Sequence, residues 1–169
     1  MKKLCLLVLA AITLSANVNA LSLSEAKRIF DEGKAPSLEQ IMDTSWDGVF
    51  QTKENKNSHN FESKNLKDSE NKIAFPVTES FDGKKIMSVH YTRVTDENGY
   101  GALSTYSYDL RTFSDAIGFD YGFSDKPKEL NFLQGCRIVD NGKVDKLICR
   151  IYCYDHRLVL GYRGYVKAN

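Results

Sequence analysis

The sequence predicts an all-β chain, an eight-stranded antiparallel up-and-down barrel preceded by one or two short helices. Three observations carry this. Eight stretches have the β-branched, aromatic or alternating character of strands: roughly 45–52, 72–80, 84–95, 100–112, 116–123, 129–139, 143–154 and 157–167. Most connections between them are short, so neighbours in sequence pair antiparallel. An unbroken meander of eight closes on itself, with an interior that side chains fill or that holds one small ligand. A two-sheet β-sandwich is the alternative arrangement of the same strands.

Residues 1–20 read as a cleaved secretory signal. Lys2 and Lys3 give a positive start, Leu4 to Leu14 an apolar run, and Val18-Asn19-Ala20 small residues at the cleavage positions. The run is about half the roughly 20 residues that cross a bilayer, so a retained anchor is not expected. Cys5 lies too far from the cleavage point for lipid attachment. The expectation is an exported protein, periplasmic or extracellular, without integral membrane association after cleavage. The remaining 149 residues suit a single domain and carry 21 basic and 22 acidic side chains. A near-neutral chain without a basic block excludes nucleic acid as a main partner.

Residues 21–44 form a helical segment. Ser22 with Glu25, and Ser37 with Gln40, have capping-box spacing. Leu23, Ala26 and Phe30 supply an apolar stripe that Gly33 ends; Leu38, Ile41 and Met42 supply the buried face of a second short helix. The segment serves either as a plug or lid, or as a strap on the outside of the domain.

Residues 45–169 form the barrel. Its first strand runs from Trp46 to Thr52, and a long polar loop, 53–72, follows. Only Phe61 and Leu66 are apolar there, too little buried surface to offset the ordering entropy, so the loop is expected to be mobile. Around Phe81-Asp82-Gly83 a type I turn with a glycine bulge pairs Val77 with Met87, Phe75 with Val89 and Ile73 with Tyr91, keeping apolar opposite apolar. Tyr106, Tyr108 and Leu110 share one face of the next strand. Ile117, Phe119, Tyr121 and Phe123 then alternate with Gly118, Asp120 and Gly122. Asp140-Asn141-Gly142 suggests a second bulged hairpin, with Ile138 opposite Val144 and Arg137 opposite Asp145. That register places Cys136 and Cys149 on opposite faces, which argues against a bond between them. Cys149 and Cys153, four apart on a strand, stand about 13 Å apart, beyond bonding reach. The three cysteines beyond the signal are therefore expected as buried thiols, at least one of them necessarily unpaired within the chain.

A helical start, Trp46 at the head of the first strand and seven strands after it resemble the layout of the lipocalin superfamily. That family usually has Gly two residues before the Trp; here Thr44-Ser45-Trp46-Asp47-Gly48 places it after. The resemblance implies an arginine of the last strand beside the Trp, a role open to Arg157 or Arg163. It is a likeness of architecture, covering residues 45–167, and carries little about function.

No nucleophile elbow, phosphate loop or dinucleotide fingerprint occurs, and His59, His90 and His156 lack metal-ligand spacing with one another or with Cys and acidic residues. A Cys–His pair such as Cys149 with His90 is formally available, but three cysteines and three histidines make such pairs unavoidable. No enzyme activity, cofactor or metal is therefore expected. All nine tyrosines lie between Tyr91 and Tyr165, and tyrosine suits an amphipathic ligand or a protein surface. The expected function is non-enzymatic binding of a small apolar or amphipathic molecule, lined by Tyr106, Tyr108, Phe119, Tyr121 and Phe123. Alternatives are a protein-interaction module, such as an inhibitor or an envelope assembly factor, and a small outer-membrane barrel. The short turns, helices, cysteines and polar C-terminus count against the last.

Overall fold

The computed structural model describes residues 21–58, 61–66, 71–95, 102–119, 134–139, 142–152 and 158–169. The expected signal, along with His59, Tyr121, Phe123, Cys153, His156 and Arg157, lies outside them. The fold is mostly β: one curled antiparallel sheet with few helices. In chain order the elements are α1 (Leu23–Glu32), α2 (Leu38–Ile41), β1 (Ser45–Lys53), β2 (Lys64–Asn65), β3 (Asn71–Ala74), β4 (Val77–Glu79), β5 (Lys85–Thr95), β6 (Ala102–Asp109), β7 (Arg111–Thr112), β8 (Ile117–Phe119), β9 (Gln134–Ile138), β10 (Lys146–Tyr152) and β11 (Val159–Lys167). A hydrogen-bonded path of nine strands runs β4-β5-β3-β1-β11-β10-β9-β8-β7, with β2 beside β1 and β6 beside β5. Among the described residues the strands form one sheet, not the two of a sandwich.

The first and last strands pair, from Trp46 opposite Lys167 to Lys53 opposite Gly161. A register shift between Gly48 and Phe50 changes which residues of β1 face inward. Trp46 packs in the core on the concave side, Phe50 packs with α1 on the other face, and Gln51 turns back inward.

The core on the concave side contains Trp46, Ile73, Phe75, Val89, Tyr91, Phe119, Leu147 and Tyr165. A second cluster joins Ala26, Ile29 and Phe30 of α1 to Phe50, Ile148 and Tyr162 on the convex side. Helix α1 is thus an external strap. Ser22 caps it by accepting from the Glu25 N–H, and the Gly33 N–H closes it on the Phe30 carbonyl. The full reciprocal capping box forms at Ser37 and Gln40 of α2. That helix makes a single turn, so it buries Ile41 alone and leaves Leu38 and Met42 exposed, against the expectation that all three are covered.

The β4–β5 hairpin has the expected register. Val77 faces Met87 and Ile73 faces Tyr91; Gly83, at φ 78°, donates to the Ser80 carbonyl at 2.9 Å. Phe75 itself lies between β3 and β4, where its N–H bonds the Thr44 carbonyl.

The second hairpin corrects the sequence reading. Ile138 faces Leu147, not Val144, and Cys136 faces Cys149. The slip is odd, so it exchanges the faces of the strand and brings the two sulfurs together in a disulfide. Gly142 does turn the chain, at φ 79°, but the first ladder bond beyond it runs from the Val139 N–H to the Lys146 carbonyl.

The polar stretch 53–72 is fastened where its two apolar residues fall. Phe61 and Leu66 are both buried, β2 pairs with Phe50 and Gln51, and Gln51 donates through its side chain to the Glu62 carbonyl. Composition alone understated this, because two well-seated anchors and borrowed strand hydrogen bonds offset much of the ordering entropy.

Candidate functional site

The aromatic residues expected to line a ligand site do converge where they are described. Tyr106 and Tyr108 lie on β6, opposite Tyr91 and Val89 of β5, because two-residue periodicity sends alternate side chains to one face. Their rings stack with centroids 6.3 Å apart; Tyr108 stacks on Phe119 at 5.0 Å, and Phe119 meets Tyr91 at 5.5 Å. The result is a bent row, Tyr106–Tyr108–Phe119–Tyr91, drawn from three strands, whose two ends stand opposite each other in the β5–β6 ladder. Phe119 and Tyr91 are buried, while Tyr106 and Tyr108 are half-buried. Such contacts contribute about 0.5–1.5 kcal/mol per pair beyond area burial.

At the Tyr91 end the row meets a polar cluster that the sequence reading missed. Arg163 of β11 donates from Nε to Gln51 Oε1 at 2.8 Å, and from Nη1 to the Tyr91 hydroxyl and to Gln134 Oε1 at 3.5 Å. The Tyr165 hydroxyl donates to the same Gln134 oxygen at 3.0 Å, and the Tyr91 hydroxyl to Asn71 Oδ1 at 2.8 Å. The guanidinium also lies 5.4 Å from the Phe61 ring centroid. Five strands and the β1–β2 connection therefore supply one network.

Its electrostatics are unbalanced. Burial disfavours the Arg163 charge, yet the Tyr91 and Tyr165 phenols outweigh that and hold its pKa above the ordinary value. Burial pushes the Tyr165 phenol up, against the opposing influence of Arg163. At neutral pH the cluster thus carries a cation beside a neutral Tyr165. Among the described residues each hydrogen-bond partner of Arg163 is an amide or a phenol, and none is a carboxylate. Neutral hydrogen bonds offset only in part the cost of withdrawing a guanidinium from water.

Arg163 was a candidate partner for Trp46 under the lipocalin-like layout. It does not serve there. Lys167 faces Trp46 in the ladder and places its ammonium 6.0 Å from the ring, while the indole N–H donates to Thr44 Oγ1 at 2.8 Å. The signal that could have marked the cluster is Arg163-Gly164-Tyr165, an arginine sharing a strand face with a core tyrosine.

Cys149 is committed to the disulfide, so it offers no free thiol to His90. Among the described residues no group of three or more His, Cys, Asp or Glu side chains could hold a metal ion. No known protein family, curated protein or solved structure matches this chain.

Proposed function

We propose that the chain is exported and works outside the cytoplasm as a non-enzymatic binding protein for a small apolar or amphipathic molecule. The observation that carries this is the aromatic row on the concave side of the sheet, from half-buried Tyr106 to buried Tyr91. Clustered rings offer contact surface to an apolar body, and tyrosine hydroxyls tolerate a polar end.

The strand pairing supports a closed, eight-stranded barrel around that row. Leu110 alone separates β6 from β7, and the stretch pairs with β5 through β6 and with β8 through β7. With the two-residue β2 left aside, and β3–β4 and β6–β7 counted as bent single strands, the number is eight, each with a neighbour on both sides. Trp46 at the start of β1 is in keeping with a lipocalin-like layout, while the cation near its ring is Lys167 and not an arginine. A cross-strand disulfide fits an oxidising compartment, in line with the signal-like N-terminus. Among the described residues no helix is long and apolar enough to span a membrane.

The test is a titration of the mature protein with the neutral fluorophore N-phenyl-1-naphthylamine. Saturable binding weakened severalfold to about tenfold by Tyr108→Ala or Tyr106→Ala is expected. Binding that neither variant alters would remove the row from the site.

A protein-interaction role is the second reading, favoured by Phe81 and Ile86, two large apolar side chains exposed on the β4–β5 hairpin. Copurifying protein lost on Phe81→Ser would support it.

A further inference from the structure

We infer that the cluster around Arg163 is a subsite for the carboxylate of an amphipathic monoanion whose apolar body lies along the aromatic row. The inference rests on the ligand-binding reading and specifies its chemistry. Arg163 has five N–H donors; Nε and Nη1 bond Gln51, Tyr91 and Gln134, the guanidinium also bonds the Tyr165 phenol, and Nη2 keeps room for one more acceptor. Gln134 is 1% exposed, and its Nε2 has no hydrogen-bond partner. Amide orientation does not remove that vacancy. Arginine only donates, so the Gln134 oxygen must face Arg163, and the NH2 group must point away from it.

One buried donor, the Gln134 amide, is thus left unsatisfied beside a guanidinium that can take one more acceptor. Leaving that amide unpaired is unfavourable. A carboxylate supplies the missing acceptors: two oxygens for two donors, and one negative charge for one guanidinium. A dianionic phosphate would leave an excess charge in the same enclosure, so the monoanion is the better match. Tyr91 joins the two halves of the site. Its hydroxyl accepts from Arg163, and its ring begins the row that continues through Phe119 and Tyr108. A head group at Arg163 therefore has an apolar path next to it.

The experiment compares dodecanoate with dodecanol on the mature protein stripped of copurified lipid, at a pH where the acid is ionised. Dodecanoate should bind roughly ten- to a hundredfold more tightly than the alcohol. Arg163→Gln and Gln134→Glu should each erase that gap, the second by supplying an internal carboxylate to Arg163. Because Gln134→Glu keeps the guanidinium and pairs it, it carries the test even where Arg163→Gln fails to fold. Equal affinity for both probes in the unaltered protein, or a gap that survives both substitutions, overturns the carboxylate subsite and leaves the ligand-binding reading standing. Binding of neither probe overturns the two together.

Discussion

Cys136 and Cys149 stand directly opposite each other on β9 and β10, joined by a disulfide with their Cα atoms 4.0 Å apart. The bond closes a short loop, with a sequence separation of 13, and ties the strand that carries Gln134 to its neighbour. For such a loop the entropic contribution is about 3 kcal/mol. Reduction, or the pair Cys136→Ala with Cys149→Ala, should lower the thermal midpoint by several degrees. Alkylating residues 21–169, denatured but unreduced, should label Cys153 and spare the other two. Labelling of all three would show that the bond is absent.

Phe30 holds the external strap. Its ring meets Tyr162 edge-on at 5.8 Å, and the guanidinium carbons of Arg137 and Arg150 each lie 4.3 Å from its centroid. Phe30→Ala should destabilise the fold by about 3–5 kcal/mol in urea titration. A cost under about 1 kcal/mol, small for a core truncation, would mean that α1 contributes little to the sheet beneath it.

Gly118 lets β8 approach β9. A Cβ there would lie 2.2 Å from the Gln134 carbonyl oxygen, which is backbone and cannot swing aside. Gly118→Ala is expected to cost about 1–3 kcal/mol, the range of overpacked sites. It should also weaken ligand binding by displacing Gln134. An unchanged melting curve would argue against the close pairing of these strands.

Tyr165 sets an alkaline limit. Burial raises its pKa above the ordinary 10.0, so the folded state prefers the neutral phenol. Its contribution is fully present below pH 10 and is lost as pH rises from there through the higher folded value. Stability measured across pH 9–12 should therefore fall, and Tyr165→Phe should flatten the fall. An identical slope in the variant would contradict the assignment.

How far the fold could be read from residues differs between the two hairpins. At Phe81-Asp82-Gly83 the turn is tight, so its chemistry also set the register, and Val77 meets Met87 as the alternation requires. At Asp140-Asn141-Gly142 the glycine turns the chain as expected, but the ladder runs in another register, with Ile138 opposite Leu147. Turn chemistry specifies a turn; it does not by itself specify the register, and an odd slip exchanges faces. The aromatic half of the site was legible because alternation puts Tyr106 and Tyr108 on one face, and Phe119 belongs to a similar pattern. The polar half was not. Gln51, Asn71, Tyr91, Gln134 and Arg163 are separated along the chain, and each alone reads as an ordinary strand residue. Only the pairing of β1 with β11 and β3, together with the curl of the sheet, brings them together.

The central claim, that the concave side of the sheet holds a small ligand, is tested most directly by native mass spectrometry. The protein would be purified without detergent from the cells that make it. The account predicts a bound mass that disappears on denaturation and is reduced by Tyr108→Ala. A bare polypeptide mass, unchanged after incubation with dodecanoate, would contradict it.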